Sequence, residues 1–348
     1  MRRLPFIRFL AAWVAMGAGA AWAQADQAPA VGAVQTVVFA DYTPLSSNLE
    51  MARRLMRPLV VARLPQILAQ MGKGLKAQPI DLTAESFLVY APPHAPPKGY
   101  GLLVFVPPWD GLKLPEGWEP VLDQFGVIFV SAARSGNDQN VQGRREPLAL
   151  LAAANIMRRY PVDPERIYVG GFSGGGRVAV RLALGYPDLF RGALLNAGSD
   201  PIGDVDAPLP PKDLFDRFVS FSRLIYATGE RDGPRQDMDA VSQKSMQDAC
   251  MFNVETQTTP WTDHAVASPT VLARALKALD QPLRVDAGRL AVCRARLDAK
   301  VAKQLQQVRA LAAAGKIDEA LGLLETVDKR FGGVAAPESV ELQAALAR

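Results

Sequence analysis

Residues 167–177 read Ile167-Tyr168-Val169-Gly170-Gly171-Phe172-Ser173-Gly174-Gly175-Gly176-Arg177 and decide how the rest of the chain is interpreted. An apolar, partly β-branched run ends in glycines, presents one serine and passes into residues 178–184, whose apolar side chains recur at helical spacing. The pattern predicts a strand, a tight turn and a helix, with Ser173 at the turn.

Gly171, Ser173 and Gly175 match G-x-S-x-G in a strand-turn-helix context, which is the pattern of a nucleophile elbow. A serine raised clear of the backbone needs a strained turn, and side chains two residues away would clash where strand and helix approach. A phosphate-binding loop or a plain tight turn is the alternative. Neither G-x-x-x-x-G-K-[ST] nor G-x-G-x-x-G fits these residues, so the nucleotide-binding motifs are excluded.

A serine nucleophile needs a base, and the chain contains only two histidines. His94 lies in a proline-rich turn upstream of Ser173. His264 follows the last predicted strand and precedes a predicted helix over residues 269–279, as expected of a base that comes last in the order Ser, acid, His. We therefore predict that His264 is the base.

The acid is expected in the loop that follows the predicted strand 223–227. Asp232 is the preferred candidate because it lies beyond the turn at Gly229. Glu230 and Asp237 are alternatives, and an ion pair with a neighbouring arginine is the structural alternative for Asp232.

Two backbone N–H groups are expected to stabilise the oxyanion. Gly174, directly after the nucleophile, supplies one. The second should come from the loop after residues 103–106, where Pro107 and Pro108 have no N–H and Trp109 is the first available donor.

Residues 80–280 resemble secreted esterases of the polyhydroxybutyrate depolymerase and feruloyl esterase type. The resemblance is carried by residues 163–175, by Tyr186-Pro187-Asp188-Leu189-Phe190, and by the contexts of Asp232 and His264. It implies an α/β-hydrolase fold and ester hydrolysis through an acyl-enzyme, with Ser173, Asp232 and His264 as the triad. The chain departs from the family where Pro107-Pro108 replaces the usual His-Gly.

Hydrophobic patterning around the elbow predicts an α/β fold, with a mostly parallel sheet covered by helices on both faces. The predicted strands are 86–90, 100–106, 126–130, the elbow strand, 191–195, 223–227 and 252–257. The predicted helices of this region are 118–125, 147–160, 178–184 and 269–279. Ser135 to Asn140, with Arg144 and Arg145, form either a substrate-lining segment or a solvated loop.

Residues 1–23 have a positive start, a short apolar centre and a small-residue exit, which predicts a cleaved signal peptide and an exported, periplasmic or secreted protein. Without their three arginines the net charge of +4 becomes +1 (4 − 3 = 1). A nearly neutral chain offers no electrostatic case for nucleic acid, and no later stretch is long enough to span a membrane.

Cys250 and Cys293 either form a disulfide, which export would permit, or remain as two thiols. Their spacing from each other and from the two histidines is unlike that of any metal site. We therefore expect neither metal nor cofactor.

The chain is predicted to comprise the signal peptide 1–23, a helical lead-in 24–79, the hydrolase domain 80–285 and a helical appendage 286–348. The lead-in has helical spacing from Asn48 to Met71, interrupted near Pro58 or Pro65. The appendage is predicted to form helices over 295–314, 317–331 and 338–347, like a single tetratricopeptide-type hairpin. One such unit cannot bury its apolar face alone, so it should dock on the hydrolase domain or on another subunit.

The sequence therefore predicts an exported serine hydrolase acting on a small-molecule or polymeric carboxylic ester. One alternative is a peptidase on the same fold. The other is a catalytically weak scaffold that binds a partner through its C-terminal helices.

Overall fold

The computed structural model describes residues 30–347, so the predicted signal peptide lies outside the described part of the chain. The strands are β1 (Val34–Val37), β2 (Phe87–Tyr90), β3 (Tyr100–Val106), β4 (Val127–Ala132), β5 (Val162–Phe172), β6 (Gly192–Asn196), β7 (Arg223–Gly229) and β8 (Val254–Thr259). The helices are α1 (Asn48–Leu55), α2 (Pro58–Gln70), α3 (Trp118–Phe125), α4 (Glu146–Arg159), α5 (Gly174–Gly185), α6 (Lys212–Phe221), α7 (Gly233–Asp248), α8 (Pro269–Leu279), α9 (Ala287–Ala313), α10 (Ile317–Ala335) and α11 (Glu338–Leu346).

The strands form one twisted sheet in the order β1-β2-β4-β3-β5-β6-β7-β8. β2 is antiparallel to both of its neighbours, and every pair from β4 to β8 is parallel. The carboxyl ends of β5, β7 and β8 therefore lie on one edge of the sheet, where ligands of such sheets bind.

The central strands are buried on both faces, as their continuous apolar runs predict. Within β3, Leu102 and Val104 belong to the core on one face, and Leu103 and Phe105 belong to the core on the other. Helices α4 and α5 cover the first face, while α3 and α8 cover the second. The mostly parallel sheet and the helical layers on its two faces confirm the predicted α/β fold.

The boundaries of β3, α3 and α8 agree with their predictions, but β1, α6 and α7 were not predicted. β1 pairs with β2, so the lead-in is not only helical and contributes an edge strand to the sheet across the expected boundary at residue 80. Its four residues are too few for a clear period. The lead-in helix is interrupted immediately before Pro58, whereas Pro65 lies inside α2.

The C-terminal helices pack on both the lead-in and the hydrolase domain. The buried carboxylate of Asp328 accepts a hydrogen bond from the Leu59 N–H at 3.2 Å, and Gly333 N–H donates to Leu209 O at 2.7 Å. α9 begins at Ala287, earlier than predicted, because the Asp286 side chain caps it. α10 continues to Ala335 through a non-helical Gly332 at φ 45°.

Cys250 and Cys293 form a disulfide with a Cα–Cα distance of 5.8 Å. It joins the end of α7 to α9, and so ties the hydrolase domain to the appendage.

Candidate active site

Ser173 occupies the turn between β5 and α5 with φ 55° and ψ −122°, a region that non-glycine residues rarely adopt. A side chain at Gly171 would overlap the Gly175 backbone, and one at Gly175 would overlap Val106 O. The Ser173 N–H donates to Asn196 O at 2.8 Å, which ties the turn to the end of β6. The strained conformation costs on the order of 1–3 kcal/mol and is held by this close packing.

The structure brings Ser173, His264 and Asp232 together. His264 Nε2 lies 2.9 Å from Ser173 Oγ, and His264 Nδ1 lies 2.6 Å from Asp232 Oδ2. Ser173 and Asp232 are buried, whereas the His264 side chain is 37% exposed and the Phe172 ring lies 4.9 Å from it. When Nδ1 carries the ring proton and donates a hydrogen bond to Asp232, Nε2 is free to accept the proton of the serine hydroxyl.

The loop after β7 brings Asp232, and neither of the alternative acids, to His264. Glu230 Oε2 accepts a hydrogen bond from the Trp261 N–H at 2.8 Å, and Asp237 is exposed on α7. Arg231 N–H donates to Thr262 O at 2.9 Å, which joins the acid loop to the histidine loop.

The histidine loop is also anchored from its far side. Asn196 Oδ1 accepts the Ala267 N–H at 2.6 Å, and Asn196 Nδ2 donates to Ala227 O at 2.8 Å. The Trp118 indole donates to Ala267 O at 2.8 Å. These bonds hold the histidine loop against the ends of β6 and β7.

A buried carboxylate that the sequence analysis missed lies behind the acid loop. Asp239 accepts hydrogen bonds from Ser199 Oγ at 2.6 Å and from Thr228 Oγ1 at 2.5 Å. Burial raises the pKa of Asp239, although these two hydrogen bonds and the charge of Arg235 oppose the shift. No motif marks this group, because Asp239 and its two partners come from three separate segments.

The two predicted oxyanion donors differ in their surroundings. Gly174 borders the same cavity as Ser173, and within residues 30–347 its N–H has no hydrogen-bond partner. The Trp109 N–H is likewise without a partner in the described chain. The Trp109 ring packs 6.4 Å from the Phe105 ring and 6.5 Å from the Phe172 ring, outside the cavity lining.

The loop of Trp109 is fixed through its carbonyls. Pro108 O accepts the Asn137 N–H at 3.1 Å, and Pro107 O accepts a guanidinium N–H of Arg145 at 2.9 Å. The Asn137 side chain lies against Gly174, in the space that a side chain there would need.

Part of the segment 135–145 lines a cavity, and part of it faces away from that cavity. Asn137, Asn140 and Arg145 border a cavity of about 610 Å³ that contains Ser173. Arg144 points elsewhere and pairs with Glu85 at 2.5 Å. A cavity of this size accommodates a small organic ligand.

Histidine, cysteine and carboxylate side chains of residues 30–347 form no group of three that could hold a metal ion. His94 is exposed in the loop that leads into the amino end of β3, whereas the elbow follows the carboxyl end of the parallel β5. Over the same residues, none of the helices combines the length and the apolar character that crossing a membrane requires.

The strand order, the antiparallel β2 and the elbow between β5 and α5 define the α/β-hydrolase fold, and this chain has that fold. No family model matches the sequence. A poly(3-hydroxybutyrate) depolymerase from Ralstonia pickettii is 29% identical over 98 residues, covering 24% of this chain and 20% of that protein. The chain thus matches about a fifth of the length of this relative.

Solved structures with the same kind of fold are only distantly similar. S-formylglutathione hydrolase from Staphylococcus aureus is 14% identical with a TM-score of 0.43, covering 56% of this chain and 92% of that one. An esterase from Pyrobaculum calidifontis is 14% identical with a TM-score of 0.43, covering 63% and 88%. A dipeptidyl aminopeptidase IV from Bacteroides ovatus is 17% identical with a TM-score of 0.44, covering 58% and 34%. The similarities add nothing to what strand order and elbow establish on their own.

Proposed function

We propose that the protein is an exported serine hydrolase that cleaves carboxylic esters through an acyl-enzyme. The observation that carries the proposal is the pair of short contacts that His264 makes, 2.9 Å to Ser173 Oγ and 2.6 Å to Asp232. A hydroxyl, an imidazole and a buried carboxylate in this order form the constellation that activates a serine nucleophile.

In the proposed reaction, Ser173 Oγ attacks the ester carbonyl while His264 Nε2 takes the hydroxyl proton. The tetrahedral intermediate collapses to the acyl-enzyme, and His264 returns that proton to the departing alcohol. Water then attacks the acyl-enzyme with His264 again as the base, which releases the acid and restores Ser173. Asp232 orients the ring and stabilises its protonated form.

We assign the stabilisation of the negatively charged oxygen of the intermediate to the backbone N–H groups of Gly174 and Trp109. Both are supported by having no hydrogen-bond partner in the described residues, which leaves them able to donate to substrate. Gly174 borders the cavity that contains Ser173, whereas Trp109 does not, and the assignment of Trp109 rests on its unpaired N–H and on its position in the loop after β3.

Two further observations favour this reaction class and an exported protein. The partial match to a poly(3-hydroxybutyrate) depolymerase, a protein whose name denotes cleavage of a polyester, favours esters over peptides. The Cys250–Cys293 disulfide is compatible with an oxidising compartment, as is the predicted signal peptide.

The direct test compares Ser173→Ala with the unmodified protein on 4-nitrophenyl butyrate. We expect kcat to fall by about 10⁶-fold, because the nucleophile is lost. Ser220→Ala, the same chemical change on α6 away from the cavity, should retain full activity. Equal rates in the protein and in Ser173→Ala would contradict the proposal.

Labelling of the nucleophilic serine with a fluorophosphonate distinguishes an active enzyme tested on the wrong substrate from a protein without a reactive serine. Labelling of the parent protein but not of Ser173→Ala, without turnover of the butyrate ester, would indicate an active serine with a different substrate. Failure of both labelling and turnover would favour a scaffold without hydrolase activity.

A further inference from the structure

The cavity that contains Ser173 is strongly polar and cationic. Its charged side chains are four arginines and two aspartates, and its aliphatic side chains are three valines. No aromatic ring borders it among the residues that the structure describes. Such a lining is poorly suited to a long alkyl chain or an aromatic acyl group.

Two of the four arginines already have carboxylate partners. Arg181 pairs with the fully buried Glu146 at 2.6 Å. Arg177 pairs with Asp200 at 2.7 Å. These pairs leave one cavity-lining carboxylate, that of Asp206, which is exposed.

Arg145 is buried without a carboxylate partner. It is only 3% exposed, and its guanidinium donates to Ser135 O at 2.9 Å and to Pro107 O at 2.9 Å. Within residues 30–347 no carboxylate lies within 4 Å of it. Burial lowers the pKa of Arg145 to about 10; the charge of Glu146 opposes this shift, the charge of Arg177 adds to it, and the charge of Asp110 opposes it. Neither Glu146 nor Asp110 forms an ion pair with Arg145, so a ligand anion in direct contact with the guanidinium would offset part of the cost of burying its charge.

Arg235, in the first turn of α7, provides a second unpaired cation on the same cavity. Its only side-chain hydrogen bond within the described part of the chain goes to Met238 Sδ at 3.0 Å. Arg235 is half-buried, so its charge is less screened than that of a fully solvated arginine.

From this arrangement we propose an anion subsite beside Ser173, in which Arg145 and Arg235 bind a carboxylate carried by the ester substrate. The proposal rests on the proposed function and narrows its substrate class to esters with a free carboxylate on the acyl or the alcohol part. A guanidinium matches a carboxylate in charge and in bidentate geometry. The polar side chains of Asn137, Asn140 and Gln142 would surround the bound group.

Two matched ester pairs test the preference. One compares mono-4-nitrophenyl adipate with 4-nitrophenyl hexanoate, and the other compares 4-carboxyphenyl with 4-carbamoylphenyl hexanoate, each normalised to its alkaline hydrolysis rate. At least one carboxylate ester should have a kcat/KM about tenfold or more above that of its neutral partner. Equal kcat/KM within both pairs would overturn the proposal.

Arg235→Gln should reduce this preference to near unity, and Arg145→Gln should do the same if it folds. Arg274→Gln removes one exposed arginine from α8, outside the cavity, and should retain the preference. A preference that survives in Arg235→Gln, or that disappears equally in Arg274→Gln, would contradict a local subsite.

Calorimetric titration of adipate into Ser173→Ala tests the subsite without any turnover. We expect adipate to bind to Ser173→Ala with a millimolar or lower Kd. In the double variant that also carries Arg235→Gln, the affinity should be about tenfold weaker, even if the ester assignment fails. Absence of binding at millimolar adipate would overturn the subsite, while leaving ester hydrolysis to be judged on the butyrate assay alone.

Discussion

The two ends of the candidate site are built differently. At the acid–base end, His264 and Asp232 lie on loops that are joined to each other and anchored to β6 by side-chain and backbone hydrogen bonds. At the oxyanion end, the loop of Pro107 and Trp109 is held through its carbonyls, and the Trp109 N–H has no hydrogen-bond partner in the described chain.

The difference follows from what each end has to do. A base and an acid must keep one geometry throughout the reaction, and their loops are accordingly bonded to each other and to β6. An oxyanion donor must remain unpaired until the substrate arrives, so only its surroundings are fixed. Pro107 and Pro108 restrict the backbone of that loop while contributing no donor themselves.

The comparison predicts the largest effect at the acid–base end. Asp232→Asn should lower kcat by about 10⁴-fold, because the neutral amide no longer holds the histidine tautomer that accepts the serine proton. Steady-state kinetics on 4-nitrophenyl butyrate measures this loss. Glu230→Gln, on the same loop but bonded to the Trp261 N–H, is the matched control and should change kcat little. A large loss in Glu230→Gln with activity in Asp232→Asn would reverse the assignment of the acid.

A smaller effect is expected at the oxyanion end. Asn137→Ala removes the side chain that lies against Gly174 but retains the backbone bond to Pro108 O. We expect kcat to fall about tenfold to a hundredfold with KM nearly unchanged, less than the loss of a whole oxyanion donor. Asp138→Ala, an exposed neighbour, should be neutral. Unchanged kcat in Asn137→Ala would indicate that Asn137 only lines the cavity.

The smallest effect concerns the buried network behind the acid loop. The pKa of Asp239 is raised in the folded protein, so the folded state holds its proton more tightly than the unfolded chain, whose pKa is about 4. The contribution of Asp239 to stability is therefore most favourable below that unfolded pKa. It decreases as pH rises through the window up to the folded pKa.

Asp239→Asn removes this titration. The urea midpoint of the unmodified protein relative to Asp239→Asn, followed by tryptophan fluorescence, should decline as pH rises from about 4. Asp237→Asn, exposed on the same helix, controls for a general change in charge. A relative midpoint that rises with pH would contradict the direction of the Asp239 shift.

The chain's local patterns predicted the fold in its central part. β3 is a continuous apolar run, and α3 and α8 have apolar side chains at helical spacing, so neighbouring residues alone indicate these elements. The G-x-S-x-G motif likewise encodes its own turn through the steric needs of Gly171 and Gly175. β1 is four residues long and depends on pairing with β2, and the polar α7 has little apolar pattern, so neither was predicted. The choice of Asp232 among three acids remains a hypothesis about catalysis, although its contact with His264 agrees with it.

The sequence by itself determined the elbow and the alternation of strands and helices around Ser173, because each depends on residues close together in the chain. It also singled out His264, because composition alone leaves one histidine after Ser173. Only the tertiary structure decided which carboxylate meets His264, that Cys250 reaches Cys293, and that Arg145 and Arg235 share a cavity with Ser173. These pairings join segments tens of residues apart, and their distances depend on how the loops pack above the sheet, which no local pattern encodes.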